Sequence, residues 1–563
     1  MKKDMTMEAR LLLAFVLMGL VLFGTQYFYK PPPQPAAKPA AVAKTAEPEK
    51  PVASVPAEKA KQVPARPATK NAEMPGQIQS AKEETIAVDT DLYHVEFSNR
   101  GAVARSWVLK AYKDRNGKPL ESVNQKALER VPPPFSLVFK NQPPATDPNT
   151  ALFHVDRSAD GLNFKFEFSD GHTDTKKTFR FAQASYLVQV TSQVTENGVL
   201  APHEIAWRGG FGDEAVVNAA PDQHTVYYDL AASKLVEKNE KDAKSGPVSN
   251  SGQYSFAGLE DKYFAAVFLP VSRSPVELTT FSDAVPGPSA ADEQRIGAAL
   301  GGDGLNTFAL YIGPKDIDIL RKVDPKLEAL IDWGFFEFIA KPLFLVVHWT
   351  AEHFVHNYGW AIILVTVAIN LLLFPLRMTS MKSSKKMQTL QPQIAAINAK
   401  YKNLSLRDPK KAEQNQEVME LYKKHGVNPV GGCLPMVLQL PFFFAFYRVL
   451  SVSIEMRGAN WLWVHDLSQP ETIAIRILPI LLIITQFLSQ KMTPSPGMDP
   501  AQQKMLLIMP LALGYMFYFS SSGLVLYWLT GNLVGIAQQW LLNRGAPPPA
   551  VVNVKPTPKK GRN

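Results

Sequence analysis

Apolar residues recur along this chain with two different periods, and the switch between them marks its main division. From about residue 84 to 320 inside and outside positions alternate, as in "LNFKFEFSD" (162–170) and "YLVQVTSQVTENG" (186–198), and the runs end in turn residues. That is the pattern of strands in a half-buried antiparallel sheet. Many such runs, punctuated by Gly, Asn and Asp with few helical stretches between them, predict a large β-sandwich over residues 84–330. "WRGGFGDE" (207–214) is rich in glycine but does not open a helix after a strand, so it reads as a loop and not as a phosphate cradle.

Elsewhere the apolar residues come in long uncharged runs, at 11–29 and then at 358–376, 431–454, 473–490, 505–519 and 523–542. Runs of this kind leave no polar face for water and suit the ~20 residues that a helix needs to cross a bilayer. Six transmembrane helices are therefore expected, the first of them a retained anchor (1–30), because no small-residue cleavage site follows it. The fifth run has only about 14 apolar residues, roughly 21 Å of helix against a hydrocarbon layer of ~30 Å, which predicts local thinning of the bilayer or a sheltered helix.

The remaining segments follow from composition. Residues 31–83 form a Pro/Ala-rich linker, with eleven prolines between 31 and 80, too poor in apolar surface to fold. "WGFFEFIAKPLF" (333–344) predicts an amphipathic helix at the interface (331–347), with Glu337 and Lys341 on one face. Spans are then expected at 348–376, 431–454, 473–490, 505–519 and 523–542. They are joined by an outer loop (455–472) and an inner loop (491–504), and a basic tail (543–563) ends the chain.

Residues 377–430 read as a helical hairpin. Met387, Leu390, Ile394, Ile397 and Tyr401 form a coiled-coil-like stripe, and Asp408 with Pro409 opens a second helix that Gly426 can end.

Charge gives the orientation. Between 376 and 430 eleven Lys/Arg stand against four acids, a net of +7, and the tail adds basic residues without acids. The positive-inside rule puts the hairpin and both ends in the cytoplasm, and the β-domain outside. The hairpin's charge favours anionic phospholipids or ribosomal RNA as partners. The single cysteine, Cys433, lies in a span, so the outer domain folds without disulfides. His348, Glu352 and His356 share one helix face, but no fourth metal ligand accompanies them.

Polar residues within the spans raise the functional question. Thr366 and Asn370 sit one turn apart, and Gln439, Gln486, Asn532, Gln538 and Gln539 lie on other spans. One such residue alone is ordinary interhelical glue worth ~0.6 kcal/mol. Several together point to a wet cavity within the membrane. Arg377 stands at its cytoplasmic mouth, and Lys382, Lys385 and Lys386 continue as a basic entrance.

"VNPVGGCLPMVLQLPFFFAFYRVL" (427–450), "WLWVHDLSQP" (461–470), "DPAQQKMLLIMP" (499–510) and "SGLVLYWLTGNLVGIAQQWLLNR" (522–544) closely resemble the YidC/Oxa-type superfamily of bacterial membrane protein insertases. "DKYFAAVFLP" (261–270) and "LYIGPKD" (310–316) resemble its periplasmic domain in the Gram-negative form. The resemblance implies a multi-pass α-helical protein of the inner membrane with a five-helix core, a periplasmic antiparallel β-sandwich and a hydrophilic groove closed outside. It implies a non-enzymatic insertase and chaperone that uses no cofactor and works alone or with the Sec translocon. Its partners would be nascent membrane proteins and, at the hairpin and tail, ribosomes or signal-recognition components. Phe443, Tyr527 and Trp528 are expected to face the passing segment. One departure stands out: the family usually has a groove arginine five residues before the proline that ends the second span, and here that position is Asn370. The expectation is then a groove that works by hydration and amide hydrogen bonds.

No phosphate-binding Lys loop, G-x-S-x-G or H-E-x-x-H motif is present, so neither ATP hydrolysis nor proteolysis has visible machinery. A secondary transporter, or a scaffold with a periplasmic binding domain, is the alternative reading. A transporter would show internal repeats and ionisable groups at mid-membrane.

Overall fold

A computed structural model describes residues 77–543 apart from 141–142, 215–221, 273, 288–290, 402–409, 427–433 and 493–499. The expected anchor, most of the linker, the basic tail, Cys433 and the Asp408–Pro409 cap lie outside the described residues.

The β-domain consists of antiparallel strands in a ten-stranded, a five-stranded and a four-stranded sheet. Alternation in sequence becomes alternation in space. In Asn163–Ser169, Phe164, Phe166 and Phe168 point inward, while Lys165 and Glu167 stay outside and pair with each other. The strand Leu187–Glu196 ends at Asn197 and Gly198, both with positive φ, where the chain turns back. Phe97, Trp107, Phe135, Phe166 and Phe179 meet at the centre of the core with ring centroids 4.7–6.3 Å apart. Trp207 ends a strand and residues 208–214 form a loop, with Gly209, Gly210 and Gly212 at positive φ. The domain begins earlier than residue 84, because Ile78 bridges Ser169 and Ser80 donates its N–H to Leu152.

The chain leaves the sheets through helix α1 (Ile317–Val323), whose N-cap Asp316 accepts from the N–H groups of Asp318 and Ile319. Helix α2 (Glu337–Thr350) buries Ala340, Leu343, Phe344 and Val347 and exposes Phe338, Val346 and Trp349, so apolar side chains lie on both its inner and outer faces. Lys341 pairs with Glu328 at 2.7 Å and not with Glu337. The expected boundary at 347/348 falls inside this helix. The turn into the next helix comes later, in a π-helical stretch (Ala351–Val355) followed by His356 in the left-handed region. There the axis bends by 119° into α3 (Tyr358–Leu372). That corner breaks the helix face proposed for His348, Glu352 and His356, and among the described residues no His/Cys/Asp/Glu group fits a metal. His348 instead bridges Tyr358 (2.8 Å) and Asp318 (3.2 Å), which ties the β-domain to the corner.

The rest is helical: α4 (Phe374–Thr389), α5 (Gln391–Lys400), α6 (Lys410–Lys424), α7 (Leu434–Val452), α8 (Ile477–Met492), α9 (Pro500–Tyr518) and α10 (Ser522–Asn543). Helices α5 and α6 form the expected hairpin, closed by Leu390, Ile394 and Tyr422, and Gly426 at φ +61° follows its second helix. Helix α9 continues back to Pro500, so it is longer than its apolar run, whose described part is Ile508–Tyr518. Among the described residues no single helix is both long and apolar enough to cross a membrane, though α2 and α3 with their corner pass as a bent pair. Domain and bundle are clasped by Arg448 to Asp332 and Arg457 to Asp213, while Trp461 lies so close over Gly359 that a Cβ there would meet it at 2.3 Å.

Candidate functional site

Helix α3 carries its two polar side chains inward. Thr366 is fully buried and donates through Oγ1 to the Ile362 carbonyl at 2.6 Å. Asn370 is buried too, and its Nδ2 donates to the Thr366 carbonyl at 2.8 Å. Both protons return to the helix's own backbone, which lowers the cost of burial without engaging a neighbour.

The chain pauses at Leu373 and resumes as α4, with Pro375 in its first turn, where a missing N–H costs nothing. Two residues on, Arg377 leaves α4 half-buried, and its guanidinium reaches two other helices. Nη2 donates to Gln439 Oε1 of α7 at 3.1 Å, and Nη1 lies 3.4 Å from Gln538 Oε1 of α10. Gln538 in turn donates from Nε2 to the Asn370 carbonyl at 3.2 Å. Gly535 makes room for the arginine, since a Cβ there would sit 3.0 Å from Nη1. Arg377, Gln439 and Gln538 thus form one hydrogen-bonded polar cluster between α4, α7 and α10, and Gln538 ties it to the Asn370 carbonyl of α3. Arg377 was expected at the mouth, but its long side chain turns inward, where two amide oxygens replace part of its hydration.

Gln486 and Asn532 do not join this cluster. Asn532 Nδ2 donates to Gln486 Oε1 at 2.9 Å, on the side of α10 that packs against α8. Gln539 lies seven residues on and donates to the Met492 carbonyl on that same side. Residues 531, 535 and 538 instead face α3 and α4. Helical geometry makes this split, because i, i+4 and i+7 lie along one stripe and the residues beside them along another. Gln538 therefore joins Arg377 while Asn532 does not, and only the register of α10 against its neighbours distinguishes them.

The aromatic expectations divide likewise. Phe443 and Trp528 meet edge-to-face at 4.8 Å and are only partly buried, with Phe517 on the other side of Trp528 at 4.7 Å. Tyr527 is buried and stacks on Phe446 at 4.1 Å, so it belongs to the packing between α7 and α10. Among the lysines, Lys382 and Lys386 are exposed. Lys385 donates to the Leu542 carbonyl at 2.8 Å, at the C-terminal end of α10 where the helix dipole favours a cation.

Two family models match the sequence: the 60Kd inner membrane protein over residues 349–548 and the YidC periplasmic domain over residues 85–346. The membrane protein insertase YidC of Syntrophus aciditrophicus is 34% identical, over 96% of this chain and 100% of its own. That of Geotalea daltonii is 32% identical over the same shares. The crystal structure of an active YidC insertase with its first transmembrane domain resolved aligns over 82% of this chain and 93% of its own, with 20% identity and a TM-score of 0.35.

Proposed function

The chain belongs to the YidC family of membrane protein insertases, and from that premise we propose that it receives client segments at the polar cluster between α3, α4, α7 and α10. It acts on nascent membrane proteins and has a periplasmic β-sandwich joined to a helical region. The apolar part of a client would pass along Phe443 and Trp528 while its hydrophilic flank rests against the buried amides and Arg377. Burial of the client in lipid, at about 25 cal/mol per Å², would then drive its sideways release without a nucleotide.

In this reading the helical region supplies five spans and the first anchor a sixth, with both termini cytoplasmic and the sandwich periplasmic. The bent α2–α3 pair fits a helix that lies in the interface before it crosses. The hairpin α5–α6 and Lys382 and Lys386 would meet anionic lipid, ribosomes or targeting factors, and the Sec translocon would serve larger clients.

One observation carries the proposal: an arginine of α4 and amide side chains of α7 and α10 converge on the Asn370 carbonyl of α3, where an apolar bundle would ordinarily pack hydrocarbon. Site-specific photocross-linking during translation of a single-span client tests it, with probes at Gln439, Phe443 and Trp528 and an outward-facing control at Ile484. Strong labelling at the first three and little at Ile484 is expected. Equal labelling at all four would remove the cluster as the route.

A further inference from the structure

We propose that the hairpin Trp461–Val464 is a depth anchor: it seats Leu462 among the phospholipid headgroups of the outer leaflet and so fixes how far the outer end of α3 sits in the bilayer. This rests on the topology proposed above, in which α3 crosses the membrane and the loop 455–472 lies on its outer side.

The backbone of the hairpin is unusual. Trp461 and Val464 exchange both of their N–H···O bonds at 2.8 Å, which forces a tight turn between them. At its corner Leu462 takes φ +47°, in the left-handed region that favours glycine. Its side chain is nevertheless 63% exposed. In water a leucine there would be strained and would bury little, and glycine would serve the turn better. Strain of this kind persists where the surrounding structure imposes it for another purpose.

This exposed leucine does not stand alone. Trp360, Leu364 and Leu371 share one face of α3 and are exposed as well. Trp360 meets Trp461 edge-to-face at 5.6 Å, and Trp461 meets Trp463 at the same distance, so the hairpin caps the outer end of that apolar stripe. In the proposed topology the stripe faces acyl chains. Its continuity with Leu462 selects phospholipid as the occupant of the tip, over a second copy of the chain. Tryptophan is enriched where a bilayer meets water, and Asn460 and His465, exposed on either side of the hairpin, suit polar headgroups.

The tip is also held firmly. Trp461 lies over Gly359, Asn357 Nδ2 donates to the Asn460 carbonyl at 2.9 Å, and Trp463 Nε1 donates to Glu471 at 2.6 Å. On the other side the Gly523 N–H donates to the Leu467 carbonyl at 2.9 Å. These ties bind the hairpin to α3 and α10, so seating Leu462 sets the depth of both helices.

The test uses the full-length protein with its one cysteine replaced, Cys433→Ala, in phosphatidylethanolamine/phosphatidylglycerol vesicles. The fluorophore NBD is attached at Leu462→Cys, at Leu364→Cys within the stripe, or at Lys234→Cys on the β-domain. At 462, quenching by nitroxide-bearing lipids should be strongest with the nitroxide at the headgroup, and quenching by aqueous iodide should be several-fold weaker than at 234. Site 364 should answer to nitroxides deep in the acyl chains. Adding Leu462→Asp to the 364 probe should shift its response to shallower nitroxides, as the outer end of α3 rises. Leu462→Gly relaxes the turn, so the melting temperature in detergent should hold or rise. A loss like that of a core truncation would make Leu462 a packing residue and overturn the anchor.

Iodide quenching at 462 equal to that at 234 would place the tip in water, and self-quenching that grows with the protein-to-lipid ratio would place it against a second copy. Either result overturns the anchor. If site 364 still answered to deep nitroxides, α3 would remain a span and the insertase reading would stand without it. If 364 were open to iodide and silent to the nitroxides, the topology would fall and the anchor with it.

Discussion

Buried cations are treated in opposite ways in the two halves of this molecule. In the β-domain Lys315 donates to Glu260 at 3.1 Å and to the Leu330 carbonyl, and Arg295 meets Glu214 and Glu293 at 3.0 and 2.9 Å. Each of these charges has its partners built into the fold. In the helical bundle Arg377 is held by two amides of other helices, with no ion pair among the described residues. A charge beside a carboxylate of its own fold is neutralised there, whereas a guanidinium among neutral amides is not.

Four measurements would break or sharpen that contrast. The largest effect is expected from Lys315→Met, which strands Glu260 in a buried site. Removing one member of such a pair typically costs about 3–5 kcal/mol. Denaturant unfolding of the full chain in detergent should show that loss, and adding Glu260→Gln should recover much of it. Full cost in the double variant would mean that the pair is not the unit.

A pH effect comes next. Burial pushes the Glu455 carboxyl up to about 8, and Asp316, Asp318 and Glu352 nearby push it the same way. The folded-state value thus lies above the ordinary 4.5, so this group favours folding at low pH, and the contribution is lost as pH rises from 4.5 through about 8. The melting temperature should fall between pH 6 and pH 9, and Glu455→Gln should flatten that fall. An unchanged slope in the variant would assign it to other groups.

Asn532→Ala should cost only ~0.6 kcal/mol, with client insertion unaltered, because Asn532 and Gln486 join α8 to α10 as glue. A large loss of insertion there would move the functional site to that side of α10. Smallest in stability is Arg377→Gln, whose amide can still bond to its neighbours. Its melting curve should barely shift while client insertion falls. A stability loss as large as that of Lys315→Met would make Arg377 a structural residue, and the contrast between the halves would vanish.

Much of the fold was legible because short-range periodicity encodes it. Alternation in "LNFKFEFSD" specifies a strand with three phenylalanines on its buried face, and the stripe from Met387 to Tyr401 marks helical packing positions that the structure divides between α4 and α5 at Leu390. Thr366, Asn370 and Gln439 could be picked out because a polar residue in an apolar run carries a cost that something must offset. Two features escaped this logic. The 119° corner arises from a π-helical stretch and a left-handed His356, and neither has a sequence signature. The roles of Tyr527 and Trp528 depended on the rotation of α10, which turns one ring onto Phe446 and leaves the other partly open.

By itself, then, the sequence determined the element types, the sandwich, the apolar helices and the presence of polar groups among them. Those are local properties, written in periods of two and 3.6 residues and in the charge of each segment. Only the tertiary structure decided which amides share a cluster, that Gln538 belongs with Asn370 while Asn532 does not, and that Arg377 turns inward to bridge two helices. The reason is physical. Helix register and the direction of a long flexible side chain are set by packing against residues distant in sequence, and no local pattern carries that information.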